Sequence, residues 1–289
     1  MKIQHYTTDN GIALTLKIPS LPLQSYLPPC IILCHGFCGT RDILLPAFAD
    51  AFTHNGFATI TFDYRGFGDS AGEPGRLMPG MQIADALTVV EWACQHKQLN
   101  GDRIGVWGTS LGGSHAIAVA AQNPAIRCVV SQLPIADGET LLTDNMNEEE
   151  RVLFTQKIEE LDKKRYDTGR ELWVGITSIL KDAESKNFFS YLKKTHPKVA
   201  IKIPFLTIRE ILRYHPVDFA KMVLTPTLIM VAEQDRVNPP EQGFALYDAL
   251  SSPIKNLYQV DLASHYDFYH ADYFELVFHE QLKWFNEHL

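Results

Sequence analysis

The chain has 289 residues, room for one large α/β domain or two smaller ones, and its 46% apolar content is ample for a sizeable core. Its 26 Lys and Arg against 34 Asp and Glu leave a formal charge of −8, with the basic residues spread rather than clustered, which argues against nucleic acid or an anionic membrane as a partner. The start, Met1 to Asn10, lacks the apolar core of a secretory signal, no later apolar run approaches membrane-spanning length, and five cysteines, an odd number, fit reduced thiols, so a cytoplasmic protein is expected.

Residues 2 to 18 read as a strand pair around the turn Asp9-Asn10-Gly11, and the proline-bearing run from Leu21 to Pro29 reads as an extended connector. Ile31-Ile32-Leu33-Cys34 is then a short all-apolar strand. A helix from about Arg41 to Asn55 follows, with Ile43, Leu44, Phe48 and Phe52 on one face and Gly56 closing it. The next strand is Phe57 to Phe62, and a helix from about Met81 to His96 carries Ile83, Leu87, Val90 and Ala93 at helical spacing. Ile104 to Trp107 is the central strand, the run from Gly113 to Ala121 a helix, and Cys128-Val129-Val130 a further strand. Apolar strands alternating with amphipathic helices predict a parallel sheet covered on both faces, with reactive loops at the carboxyl ends of its strands.

The alternation breaks after Ile135. Residues 137–218 contain a charged helix (Glu148 to Arg165) and a mixed stretch with Leu172, Ile176, Ile179 and Leu180, and they read as a helical cap inserted into a core of residues 1–136 and 219–289. The pattern resumes with strand Pro226 to Val231, helix Glu241 to Leu250, strand Asn256 to Val260 and a closing helix from Tyr273 to His288.

The pentapeptide Gly108-Thr109-Ser110-Leu111-Gly112 lies between the central strand and the following helix. A serine on such a turn is held in a strained backbone with its hydroxyl clear of the sheet, and the small neighbours let strand and helix approach. A serine hydroxyl is a weak nucleophile and needs a base, usually His, which needs a carboxylate to fix its tautomer. Asp235 follows the strand ending at Val231, and His265 follows the strand ending near Val260, so both loops emerge on the edge that carries Ser110. Asp137 is the rival acid and His270 the rival base. Asp63, Arg65 and Asp69 read as loop-bonding residues, and His35 as a tie between loops. Cys34-His35-Gly36-Phe37-Cys38 has no second ligand pair at metal-site spacing, so no metal is expected.

The order Ser, Asp, His, together with His35-Gly36-Phe37, Asp63-Tyr64-Arg65-Gly66-Phe67-Gly68-Asp69-Ser70 and Glu233-Gln234-Asp235, resembles the α/β-hydrolase-fold serine hydrolases over roughly residues 28–136 and 220–289. The Asp63 to Gly75 stretch and His265-Tyr266-Asp267-Phe268-Tyr269 are most similar to the X-prolyl dipeptidyl peptidase-like branch, which includes esterases and acyl-transferring enzymes of fungal polyketide pathways. This resemblance implies an α/β-hydrolase fold with a cap, Ser110 as nucleophile, His265 as general base and acid, and Asp235 as orienting carboxylate. It also implies an oxyanion hole from the backbone N–H groups of Phe37 and Leu111; no phosphate-cradling loop or dinucleotide fingerprint is visible, so no cofactor is expected.

A small-molecule carboxylic ester is the expected substrate, with amide or peptide cleavage second, because an alcohol leaves more readily than an amine. An acyltransferase would use the same residues, and a non-catalytic binder would keep the fold alone. Trp173, Phe188, Phe189 and Tyr191 are expected to line the acyl pocket from the cap. A homodimer stays open.

Overall fold

The apolar runs pair into one sheet in a computed structural model that describes residues 1–20 and 27–289. Most of the expected connector from Leu21 to Pro29 lies outside the described residues. Ten strands are described: β1 (Lys2–Thr7), β2 (Ala13–Ile18), β3 (Cys30–Cys34), β4 (Ala58–Phe62), β5 (Ile104–Thr109), β6 (Ile126–Gln132), β7 (Trp173–Gly175), β8 (Lys202–Pro204), β9 (Thr227–Ala232) and β10 (Lys255–Val260). Eight form a sheet in the order β1-β2-β4-β3-β5-β6-β9-β10. Only the β1–β2 and β2–β4 pairs are antiparallel; from β4 to β10 every pairing is parallel.

Successive residues of β3 point to opposite faces, so both faces need cover. Ile31 and Leu33 face α1 (Leu45–His54) and the C-terminal helix, meeting Phe48, Phe52, Trp107 and Phe285. Ile32 and Cys34 face the other side with Ile83, Val89 and Val119 from α2 (Pro79–Gln95) and α3 (Leu111–Gln122). The first helix starts later than Arg41 because Arg41 is held in a loop: its backbone N–H donates to Asp63 Oδ1 at 2.7 Å, and its guanidinium pairs with the buried carboxylate of Asp63. Asp63, Asp69 and Arg65 therefore serve loop bonding, as their sequence context suggests; Arg65 donates backbone and side-chain N–H groups to Asp85.

Residues 133–226 run between β6 and β9 and hold α4 (Gly138–Thr143), α5 (Glu148–Thr168), α6 (Ala183–Thr195), α7 (Thr207–Leu212) and α8 (Pro216–Ala220), the last crossing the expected cap boundary at residue 218. They also hold the antiparallel pair β7–β8, absent from the sequence reading, whose three-residue strands are too short to show a period. The helix α5 is stopped by Gly169 at φ 65°, and opened by an Asn147–Glu150 capping box. The chain closes with α9 (Pro240–Ala249) and α10 (Ala271–His288). Among the described residues no helix is long and apolar enough to cross a membrane.

Candidate active site

The end of β5 and the start of α3 are forced together by missing side chains. A Cβ on Gly108 would lie 2.0 Å from the Gly112 carbonyl oxygen, and one on Gly112 would lie 2.3 Å from that of Cys34. This tight turn drives Ser110 to φ 56°, ψ −128°, a conformation costing about 1–3 kcal/mol that persists only where the surroundings enforce it. They do: the Ser110 N–H donates to Gln132 O at 2.8 Å, and its carbonyl accepts from Gly113 N at 2.9 Å. Behind the turn runs a buried chain of side chains. Trp107 Nε1 donates to Gln281 Oε1 at 2.8 Å, Gln281 Nε2 to Gln132 Oε1 at 2.6 Å and Gln132 Nε2 to Thr109 Oγ1 at 3.0 Å, while Thr109 meets the Tyr269 hydroxyl at 2.5 Å.

Asp235 and His265 sit in the loops after β9 and β10, both buried. Asp235 Oδ1 accepts the backbone N–H groups of Val237 and Asn238, each at 2.8 Å, which leaves Oδ2 for His265 Nδ1 at 2.6 Å. An ionised carboxylate only accepts, so Nδ1 carries the proton and Nε2 is left with a lone pair for base work. Ser110 and His265 line the same cavity, of about 190 Å³. The Ser110 hydroxyl oxygen accepts a hydrogen bond from Asn238 Nδ2 at 3.3 Å. Sequence reasoning missed Asn238. Its place ahead of Pro239-Pro240 reads as an ordinary turn residue, and only the folded loop turns its amide onto Ser110.

The rival residues lie elsewhere. Asp137 caps α4, accepting from Thr140 N at 2.7 Å, and pairs with His215. His270 is exposed at the entrance to α10.

Neither Phe37 N–H nor Leu111 N–H donates to another group among the described residues. Leu111 opens α3, where the helix dipole adds positive character, and both residues line the cavity. Gly36 packs against the Ser110 turn, since a Cβ there would lie 3.1 Å from Ser110 Cβ. His35 Nδ1 donates to Gly36 O at 3.0 Å while its ring is buried edge-on to Tyr64, and burial lowers its pKa, so the neutral ring braces this loop. Cys34 and Cys38 are buried thiols, and burial pushes Cys34 up to about 12.

From the segment above the sheet, Phe188 and Phe189 line the cavity with Leu141, Leu180, Leu192 and Ile211. Trp173 and Tyr191, expected in the same wall, are not there. Trp173 lies half-buried in β7 beneath the Arg76 guanidinium, 5.1 Å from its ring centroid. Tyr191 is 63% exposed because the inward face of α6 carries residues 185, 188, 189 and 192, and helical phase turns 191 outward. The same helix docks on the His265 loop: Phe188 stacks on Tyr266 at 4.4 Å between centroids, and Ser185 Oγ meets the Tyr266 hydroxyl at 3.0 Å. Burial pushes that phenol well above its ordinary range.

The turn between β5 and α3 thus carries a strained serine, with a hydrogen-bonded aspartate and histidine on the loops after β9 and β10. The chain belongs to the alpha/beta hydrolase fold family, whose model matches residues 29–272. It is 51% identical, over the whole of both chains, to an uncharacterized 31.7 kDa protein of the traX-finO intergenic region of Escherichia coli. It is 28% identical to the quorum-quenching protein AidA of Acinetobacter baumannii (90% of this chain, 87% of AidA), and 26% identical to the thiohydrolase aneE of Aspergillus aculeatus (82% and 79%). Among solved structures, DcsB in complex with its substrate analogue superposes with a TM-score of 0.84 at 20% identity, covering 100% of this chain and 99% of that one.

Proposed function

We propose that the protein is a serine hydrolase that cleaves a carboxylic ester or thioester through an acyl-enzyme on Ser110. The observation that carries this reading is the buried Asp235–His265 bond at 2.6 Å beside a cavity that also holds the strained Ser110. Ser110 Oγ attacks the carbonyl carbon as its proton passes to His265 Nε2, and the carbonyl π pair moves onto oxygen. The free N–H groups of Phe37 and Leu111 receive that oxyanion; donors of this kind are worth about 3–4 kcal/mol each. Collapse expels the leaving group, which takes the proton from His265. Water then repeats the sequence, and Ser110 is released. The apolar wall of Leu141, Phe188, Phe189 and Leu192 suits an alkyl or aryl acyl chain, and a thioester is favoured beside an oxygen ester by the thiohydrolase relative.

The test is a fluorophosphonate probe with peptide mapping, run beside p-nitrophenyl esters and acyl thioesters of graded chain length. An adduct on Ser110 that disappears in Ser110→Ala, with turnover lost together, supports the reading. A folded wild-type protein that is neither labelled nor active on any ester, thioester or anilide overturns it. Added methanol or hydroxylamine in the same assay measures how far nucleophiles other than water capture the acyl group.

A further inference from the structure

Asn238 ties the triad acid to the nucleophile. Its backbone N–H donates to Asp235 Oδ1 at 2.8 Å, and its side chain, 5% exposed as a residue, reaches Leu133 O at 2.7 Å and Ser110 Oγ at 3.3 Å. The orientation of the amide follows from chemistry: a main-chain carbonyl can only accept, so the group facing Leu133 is the NH₂, and its second N–H points to Ser110. Leu133 is itself pinned, at φ 51° with its N–H on Met230 O at 2.7 Å, so the donor is held from three sides before any substrate arrives.

We infer that Asn238 is a further catalytic residue, donating a hydrogen bond to Ser110 Oγ whenever that oxygen gains negative charge. The inference rests on the proposed role of Ser110. In acylation, the Oγ–H bond breaks as the proton goes to His265 and the Oγ–C bond forms; the pair left on Oγ is transiently concentrated before it is shared with carbon. In deacylation, water adds with its proton passing to His265, the Oγ–C bond breaks, and Oγ departs with the bonding pair before the proton returns from His265. A donor aimed at Oγ favours its charged form at both moments. Oxyanion-hole donors face a full charge, whereas this one faces a partial charge at 3.3 Å, so a smaller effect of about tenfold on each step is expected.

The experiment compares wild type with Asn238→Leu and Asn238→Ala, which remove the donor without adding a charge. Pre-steady-state bursts with p-nitrophenyl acetate read acylation and deacylation separately, and kcat/KM is followed against pH. The inference expects both rates to fall about tenfold while the pH of the acidic limb, set by His265, stays where it is. Folded variants with wild-type rates overturn it, and so does a fall accompanied by a shifted limb, which assigns Asn238 only to positioning Asp235 and His265. A measurement that does not depend on these variants folding uses protein labelled with ¹⁵N-asparagine: the Asn238 side-chain amide signals should move between wild type and Ser110→Ala. Signals that stay put deny the hydrogen bond. Absence of probe labelling and turnover in wild type, by contrast, strikes the proposed function and not Asn238 alone.

Discussion

The turn carrying Ser110 and the segment that roofs it are built on different physical principles. Around Ser110 the positions are over-determined: backbone carbonyls fill the space that a Cβ on Gly108 or Gly112 would need, and a chain of buried hydrogen bonds from Trp107 to Tyr269 backs the turn. The roof meets the His265 loop through the stacking of Phe188 on Tyr266 and the Ser185–Tyr266 hydroxyl pair, with the Glu184 carboxyl close enough to act electrostatically on Asp235 and His265. Backbone overlap admits no compromise, while apolar walls repack at modest cost. Reactivity should therefore fail abruptly when the turn is touched, and selectivity should drift when the roof is touched.

The largest break in that contrast is expected from Gly112→Ala. Its new methyl would lie 2.3 Å from Cys34 O and 2.4 Å from His35 O, both main-chain atoms of the strand and loop that present Phe37. Either the helix start or the loop carrying Phe37 must move, and even a displacement near 1 Å costs about two orders of magnitude in rate. Turnover of p-nitrophenyl acetate and the melting temperature should both fall sharply. Asp235→Asn comes next, with kcat expected to fall by about four orders of magnitude while the fold persists, since the amide can present an N–H to His265 Nδ1 and select the wrong tautomer. A drop of less than tenfold would remove Asp235 from the chemistry.

How much of this arrangement could be read in the chain differs by region for the same reason. Ser110, Asp235 and His265 each follow a parallel strand of the sheet, so strand direction alone sends all three loops to one edge, although β10, Lys255-Asn256-Leu257-Tyr258-Gln259-Val260, is only half apolar. Asn238 gives no such signal, because its role depends on where Leu133 O, 105 residues away, happens to sit. In the roof, helical phase and not aromatic content selects the lining, which is why Phe188 faces inward and Tyr191 does not. The short β7 and β8, and helices of five or six residues such as α7 and α8, lie below the length at which periodicity is decisive.

Acid should attack the region under the turn before it attacks the roof. His115, on α3, is fully buried, bonded to Tyr214 at 2.8 Å and Gln82 at 3.0 Å, and burial lowers its pKa to about 3. Its folded value lies below the ordinary value of about 6.5, so the unfolded chain binds the extra proton first. Its contribution is fully present above pH 6.5 and is lost as pH falls from there towards 3, by an amount of order 5 kcal/mol. Urea midpoints at pH 7 and pH 5 should therefore differ, and His115→Gln should shrink that difference while costing stability at pH 7. An equal pH dependence in the variant would exonerate His115.

Smaller effects sharpen the roof's side of the comparison. Phe188→Ala removes the ring that stacks on Tyr266 and narrows the cavity, so relative kcat/KM for long over short acyl esters should change by about tenfold with probe labelling of Ser110 retained. Ser185→Ala is the finest cut. It deletes only the 3.0 Å hydroxyl contact that ties α6 to Tyr266, the residue beside His265, and leaves the stacked ring in place. A net hydrogen bond of this kind is worth about 1 kcal/mol, which as a looser roof appears as a KM about fivefold higher for a long-chain ester. Acetate turnover needs no roof and should be unchanged. If both substrates slow together, Ser185 acts through His265, and the separation between rigid chemistry below and adaptable recognition above does not hold at the Ser185–Tyr266 contact.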